Sequence, residues 1–414
     1  MTASHPPEVC CYKGLVQAHQ TDTSGALSAD AAASIVADAL AGYLAVNAGA
    51  SPAAVAALLS MNLTKEGADA RLGDVVICWV SSAQSPSAFR MFDVRLCGPL
   101  GTAWQAGFQL GAAVSSDRTA ALTPATHEDA AWPPLRVMRP MRKRDCDQAG
   151  HVNVQVFMAL ADEAVRVFCS EALDEPSRLQ TVRARLSFKR ELFEGDVVAV
   201  HSGLQRIDAH GVHVVHGIVH QPSGLLACVV ETCLGQLDGS ASVAASTPAV
   251  SREAAREWPT LPLARSPASP RASGSPIETA VTTSMSVVDA WDVDATGRLS
   301  MRALINLCST GARQYLATIG LNGARFLREQ ITVAAVDYLV EVQRRPTLGC
   351  NLTMRSAFLS GSTKSMRFTH HLLDSDDGTV YATVEIVGVM LDLATHRSME
   401  IPLDVRRRLG LATD

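Results

Sequence analysis

A turn signature that recurs three times constrains the fold of this 414-residue chain more than any other feature. The three copies are Thr21-Asp22-Thr23-Ser24-Gly25-Ala26-Leu27-Ser28, Cys146-Asp147-Gln148-Ala149-Gly150-His151-Val152-Asn153 and Val293-Asp294-Ala295-Thr296-Gly297-Arg298-Leu299-Ser300. Counted from each Asp, a Gly stands at +3, an aliphatic residue at +5 and a helix-capping type at +6. The likeness runs on through Ile35, Leu160 and Leu307 at +13, through Ala39, Ala164 and Gly311 at +17, and through Tyr43, Phe168 and Tyr315 at +21. Offsets four apart lie on one helical face, so each copy predicts a glycine turn, an N-cap and a helix with an apolar stripe. Ala161, Val165 and Cys169 widen that stripe in the middle copy.

Alternating runs after each helix predict strands. They are Asp74–Ser82, Ala88–Cys97 and Thr102–Val114; then Arg183–Lys189, Val197–Leu204, Val212–Val219 and Leu225–Leu234; then Thr332–Val342, Asn351–Leu359, Ser365–Leu373 and Val380–Leu391. Gly73, Gly195 and Gly349 precede one strand of each set, 51, 48 and 55 positions after the repeat Asp. The reading is one α+β unit used three times, over 1–120, 133–238 and 277–414. An Ala/Ser/Pro-rich linker is expected at 239–276.

The bulk figures exclude several classes. A formal net charge of −5 gives no support for nucleic-acid binding, which usually needs a basic face. The ten cysteines form no C-x2-C pair, and the first residues show no basic region followed by an apolar run. A reduced, cytoplasmic protein with no membrane span is expected, no apolar run reaching the required length. The sequence shows no P-loop, no G-x-S-x-G elbow, no H-E-x-x-H and no dinucleotide glycine pattern, so no metal and no cofactor are expected.

The segment Arg144-Asp145-Cys146-Asp147-Gln148-Ala149-Gly150-His151-Val152-Asn153, continuing to Asp162-Glu163-Ala164, resembles the 4-hydroxybenzoyl-CoA thioesterase-like branch of the hotdog superfamily. The resemblance is specific over some 25 residues, looser over 277–411, and reaches the first 115 residues only through the repeat. It implies tandem hotdog folds, each a long central helix wrapped by a curved antiparallel sheet, and an acyl-CoA thioesterase working at a cleft between paired units. Gln148 and Val154 depart from the family pattern. Only the middle copy keeps the full polar set, since Ala26-Leu27-Ser28 and Arg298-Leu299-Ser300 replace His-Val-Asn.

Asp147 is the expected base or nucleophile, and amides near Val152–Val154 at the helix N-terminus the expected oxyanion donors. Gly150 permits the tight turn. The competing use of Asp147 is to cap that turn through an Asx-type hydrogen bond. His151 orients substrate or carboxylate, or is a loop histidine without a role. Asn153 is catalytic or an N-cap. Asp145 perturbs Asp147 or is solvated. Glu163 is a rival helix base, though its neighbour Asp162 suggests a solvated face. Arg144, Lys189 and Arg190, with Arg142, Lys143, Arg183 and Arg185, are candidates for CoA phosphates or plain surface. Three units leave one unpaired, so a homodimer of six units is expected. The alternative functions are a non-catalytic acyl-CoA-binding or scaffold protein with decayed sites and, more remotely, a hotdog dehydratase.

Overall fold

The computed structural model describes residues 8–17, 20–22, 24–48, 58–68, 70–71, 73–83, 90–110, 133–147, 150–172, 179–237, 277, 279–294, 296–395 and 397–411. The expected linker at 239–276 and the end of the strand expected through Val114 lie outside these residues.

Each copy of the turn signature folds alike. The Asp amide donates to the carbonyl four residues on (Asp22 to Ala26, Asp147 to His151, Asp294 to Arg298), and the glycine amide returns to the Asp carbonyl. Gly25, Gly150 and Gly297 adopt φ of 78°, 86° and 73°, a region that favours residues lacking Cβ, which accounts for the fixed glycine at +3. Ser28, Asn153 and Ser300 then accept backbone amides of the first helical turn through their side chains, as N-caps do.

The helices that follow are α1 (Ala29–Ala48), α2 (Val154–Ala172) and α3 (Met301–Thr318). The stripe residues Ile35, Ala39, Leu160, Ala161, Ala164, Val165, Phe168 and Cys169 are all buried. One 18-residue window, Ala29–Val46, is long and apolar enough to cross a membrane, contrary to expectation. Its Ile35, Val36, Ala39, Leu40 and Leu44 are buried against the first module's sheet.

The strands are β1 (Val9–Leu15), β2 (Leu58–Lys65), β3 (Val75–Ala83), β4 (Arg90–Gly98) and β5 (Gly101–Leu110) around α1. Around α2 lie β6 (Leu135–Pro140), β7 (Gln180–Phe188), β8 (Val197–Asp208), β9 (Gly211–His220) and β10 (Leu225–Gly235). Around α3 lie β11 (Val281–Val287), β12 (Ile331–Val342), β13 (Asn351–Gly361), β14 (Ser365–Asp374) and β15 (Val380–Asp392). All join one antiparallel sheet in the order β11-β13-β14-β15-β12-β7-β10-β9-β8-β6-β1-β3-β4-β5-β2. Within each module, therefore, the first strand is one edge and the second strand the other. The last module adds α4 (Gly323–Glu329), β16 (Arg397–Ser398) and α5 (Leu403–Arg408), which close a small apolar core over the far end of α3.

Two seams join the modules. The middle and last modules pair their second strands, β7 with β12, from Ser187–Asp337 to Arg183–Glu341. They share one apolar core that includes Leu160 and Ala164 of α2 with Leu304 and Cys308 of α3. The first and middle modules meet through their first strands, where Lys13 of β1 stands opposite Met138 of β6.

Candidate functional site

The middle module's turn gathers Asp147, Gly150, His151, Val152 and Asn153 at the open end of α2. Asp147 is exposed, and its Oδ1 accepts the His151 amide at 3.1 Å, so the turn-capping use of this carboxylate is realised. His151 packs edge-on against Phe193, with centroids 5.2 Å apart, and its Nε2 lies 3.9 Å from Glu191 Oε2. Neither Glu191 nor Phe193 was anticipated from the sequence. Counting back from Gly195, as the repeat does from Gly73 and Gly349, would have placed them beside the turn.

The expected oxyanion donors are only partly available. The Val152 amide donates to Leu192 O and the Asn153 amide to Asp145 O, both at 2.8 Å. Val154, the first residue of α2, keeps an amide with no acceptor among the described residues. That N–H lies at the positive end of the helix dipole, where an oxyanion is stabilised. Asn153 Oδ1 accepts the Gln155 amide at 3.2 Å, an N-cap contact.

Among the basic candidates, Arg144, Lys189 and Arg190 are exposed. The last two follow β7 on the loop that carries Glu191 and Phe193. Arg183 and Arg185 are engaged in ion pairs. They cross the β7–β12 seam to Glu341 and Asp337, each at 2.8 Å, because antiparallel pairing sets opposite charges side by side. Arg142 likewise binds Asp38 of α1. Asp145 accepts the Arg142 amide at 2.9 Å and so closes a single 3-10 turn.

Glu163 does not lie on a solvated face. It is 3 % exposed, at the first–middle seam, where Oε1 accepts the Leu15 amide of β1 at 2.8 Å and Oε2 meets Arg139 at 3.4 Å. Gly14 makes room for it, since a Cβ there would sit 2.5 Å from Oε1. Burial and the neighbouring Glu163 both push the Tyr12 hydroxyl pKa up.

The last module uses the same turn differently. Asp294 Oδ2 lies 2.9 Å from Nη2 of Arg345, with side-chain exposures of 10 % and 7 %. That Nη2 has no aligned hydrogen bond, so the contact is ionic. Arg345 Nε also donates to Leu299 O at 2.8 Å, and Nη1 reaches Gln180 Oε1 of the middle module at 3.5 Å.

Two further polar pairs lie wholly inside the sheet. Ser202 Oγ bonds His216 Nδ1, and Ser356 Oγ bonds His370 Nδ1, each at 2.8 Å on directly paired residues. Burial lowers both histidine pKa values to about 3, so they are neutral at pH 7. Among the described residues, no group of three or more His, Cys, Asp or Glu side chains could hold a metal ion.

No curated protein matches the chain. Similar solved structures include an acyl-ACP thioesterase from Bacteroides thetaiotaomicron, at 9% identity over 61% of this chain and 96% of that one, with a TM-score of 0.43. The 12:0-ACP thioesterase from Umbellularia californica is 13% identical over 61% and 92%, with a TM-score of 0.40. A Staphylococcus aureus protein in complex with CoA is 15% identical over 32% and 83%, with a TM-score of 0.30. The family model described as the thioesterase-like superfamily matches residues 141–257 and again 288–409, more than half of the chain. The chain belongs to the thioesterase-like superfamily.

Proposed function

We propose that the chain is three hotdog units in tandem and hydrolyses an acyl-CoA thioester at the open end of α2. Asp147 acts as base or nucleophile. As a base it takes a proton from water, whose oxygen attacks the thioester carbon. The carbonyl oxygen becomes an oxyanion held by the Val154 amide, and collapse expels the CoA thiolate, which takes up a proton. As a nucleophile its carboxylate attacks the thioester carbon and expels the CoA thiolate, which takes up a proton, leaving a mixed anhydride that water then hydrolyses to free acid and Asp147 carboxylate. His151 orients the substrate beside Phe193, and Arg144, Lys189 and Arg190 face the CoA phosphates. The observation that carries this reading is the exposed Asp147 in the turn that leads into α2, whose first amide, Val154, has no acceptor among the described residues, in a segment matched by the family model.

Hydrolysis measured across short, long and aryl acyl-CoAs tests it. Turnover that falls by about a hundredfold or more in Asp147→Ala supports the assignment. Wild-type turnover kept in that variant would remove Asp147.

A second reading is a non-catalytic acyl-CoA-binding or scaffold protein. It is favoured by the structural use of all three repeat aspartates, Asp22 accepting Ser24 as Asp147 accepts His151. Acyl-CoA binding without turnover would establish it.

We also propose a cytoplasmic homodimer. β7 and β12 cover each other, whereas β2, the matching strand of the first unit, pairs among the described residues with β5 alone. Two copies joined through β2 would give six units, and a clean monomer in analytical ultracentrifugation would exclude this.

A further inference from the structure

In both family-matched modules, one residue stands four positions before the strand-opening glycine and beside the repeat turn. It is Glu191 before Gly195 and Arg345 before Gly349. The backbone equates the two, because Val152 donates to Leu192 O as Leu299 donates to Pro346 O. His151 bridges to Phe193 as Arg298 bridges to Thr347. The positions that surround the turn therefore read His151, Glu191 and Phe193 in the middle module, and Arg298, Arg345 and Thr347 in the last.

We propose that this residue decides whether a module's loop carboxylate is available to a thioester, with Glu191 keeping the middle site open and Arg345 occupying the last one. The proposal rests on the reading of Asp147 as the reactive group. A carboxylate that must take a proton from water or attack a carbonyl is occupied when a guanidinium lies against it. Arg345 lies against Asp294 in this way. A glutamate at the equivalent place cannot pair with Asp147, because both are anions. It lies instead against His151, 3.9 Å from Nε2, with Phe193 beside the ring. Glu191 is thus a positioning residue that acts through His151. Arg345 is a resident cation standing where the substrate carbonyl would come. The chain then has one reacting centre in its matched pair of modules, at Asp147.

The test exchanges the two charges in the full chain. Hydrolysis and calorimetric binding of a non-hydrolysable thioether analogue of acyl-CoA are both read. Glu191→Arg is expected to cut hydrolysis by about a hundredfold or more, whereas Glu191→Gln stays within about tenfold. Arg345→Glu is expected to raise analogue binding from one equivalent per chain to two. Glu191→Arg with wild-type turnover, or one equivalent bound both before and after Arg345→Glu, overturns the proposal. Should Arg345→Glu fail to fold, a double-mutant cycle of Asp294→Asn and Arg345→Gln on the melting temperature replaces it. Additive shifts there also overturn the lock, and a non-additive cycle upholds it. A wild-type chain that neither binds nor hydrolyses sinks the thioester reading, while the cycle still decides whether Arg345 holds Asp294.

Discussion

The two seams join similar modules by different physics. Between the middle and last modules, a strand ladder and two packed helices bury one apolar core, with Arg185–Asp337 and Arg183–Glu341 laid across it. Between the first and middle modules the strands meet at Lys13–Met138, and side-chain charges bind where backbone pairing does not. Glu163 of α2 reaches the Leu15 amide of the first module, and Asp38 of α1 reaches Arg142 of the middle one. Both carboxylates stand 16 positions after the repeat Asp, so each helix sends the same position across the seam. The last module, which lies on the far side of β7–β12, carries Thr310 there. The comparison teaches that these helix acids follow the seam. Burial pushes the Asp38 carboxyl up despite Arg142, as it does for a charge taken out of water.

Removing Glu163 should break the comparison hardest. Glu163→Ala leaves the Leu15 amide and Arg139 without their carboxylate and should destabilise the chain by about 3–5 kcal/mol. Limited proteolysis should then release the first module before the other two. Simultaneous loss of all three would show the seams to be equivalent. Gly14→Ala should act at the same place by about 1–3 kcal/mol, since the added methyl collides with the Glu163 carboxylate. An unchanged melting temperature would show that the carboxylate can move without loss.

Acid should act on the opposite seam's modules. His216 and His370 are buried and neutral, with folded pKa values lowered by burial to about 3 against the ordinary value of 6.5. Between those limits the unfolded chain binds more protons, so stability falls as pH falls from 6.5 towards 3. The slope approaches about 1.4 kcal/mol per pH unit for each histidine. The first module has Val80 opposite Val94 at the equivalent positions and contributes nothing of this kind. Urea titrations at pH 7 and pH 5 should show a smaller slope in His370→Val, with His216 and the partly buried His371 supplying the rest. An unaltered slope would assign the acid sensitivity elsewhere.

Much of this was legible in the sequence, and the rest was hidden for definite reasons. The turn, caps and helices could be read because Gly25, Gly150 and Gly297 are required by positive φ and the stripe follows helical spacing. The strands after each helix could be read by alternation, except β2, which was missed. The strands before each turn were missed. β6 is short and ends in proline, and β11 is a polar sheet edge, so neither shows the pattern of a half-buried strand. Glu163 looked solvated because a helix charge beside Asp162 normally is, whereas it is buried where β1 and Arg139 meet it. The site loop was legible at Asp147 and His151. Glu191, Phe193 and Arg345 were not, because their place depends on a contact 40 or more residues away in sequence.

The smallest expected effect separates the two buried Ser–His pairs themselves. In the middle module the chain of hydrogen bonds is complete. Thr232 Oγ1 donates to Val214 O at 3.2 Å, so it accepts from His216 Nε2 at 3.0 Å, and Ser202 donates to Nδ1. In the last module Thr283 donates to Met354 O and Ser356 lies between Thr283 and His370. His370 Nε2 is then buried without a partner, because Ile386 replaces the threonine. An unmet acceptor costs less than an unmet N–H, so His370 should carry its proton on Nδ1 and His216 on Nε2. Nitrogen-15 shifts of the two rings can read that difference. Ile386→Thr supplies the missing partner while losing apolar contact. It should therefore cost less in the wild-type chain than in a His370→Val background, by about 1 kcal/mol, the net worth of one hydrogen bond. Equal costs in the two backgrounds would mean that Nε2 has no need of a partner, and that the middle and last modules do not differ in this respect.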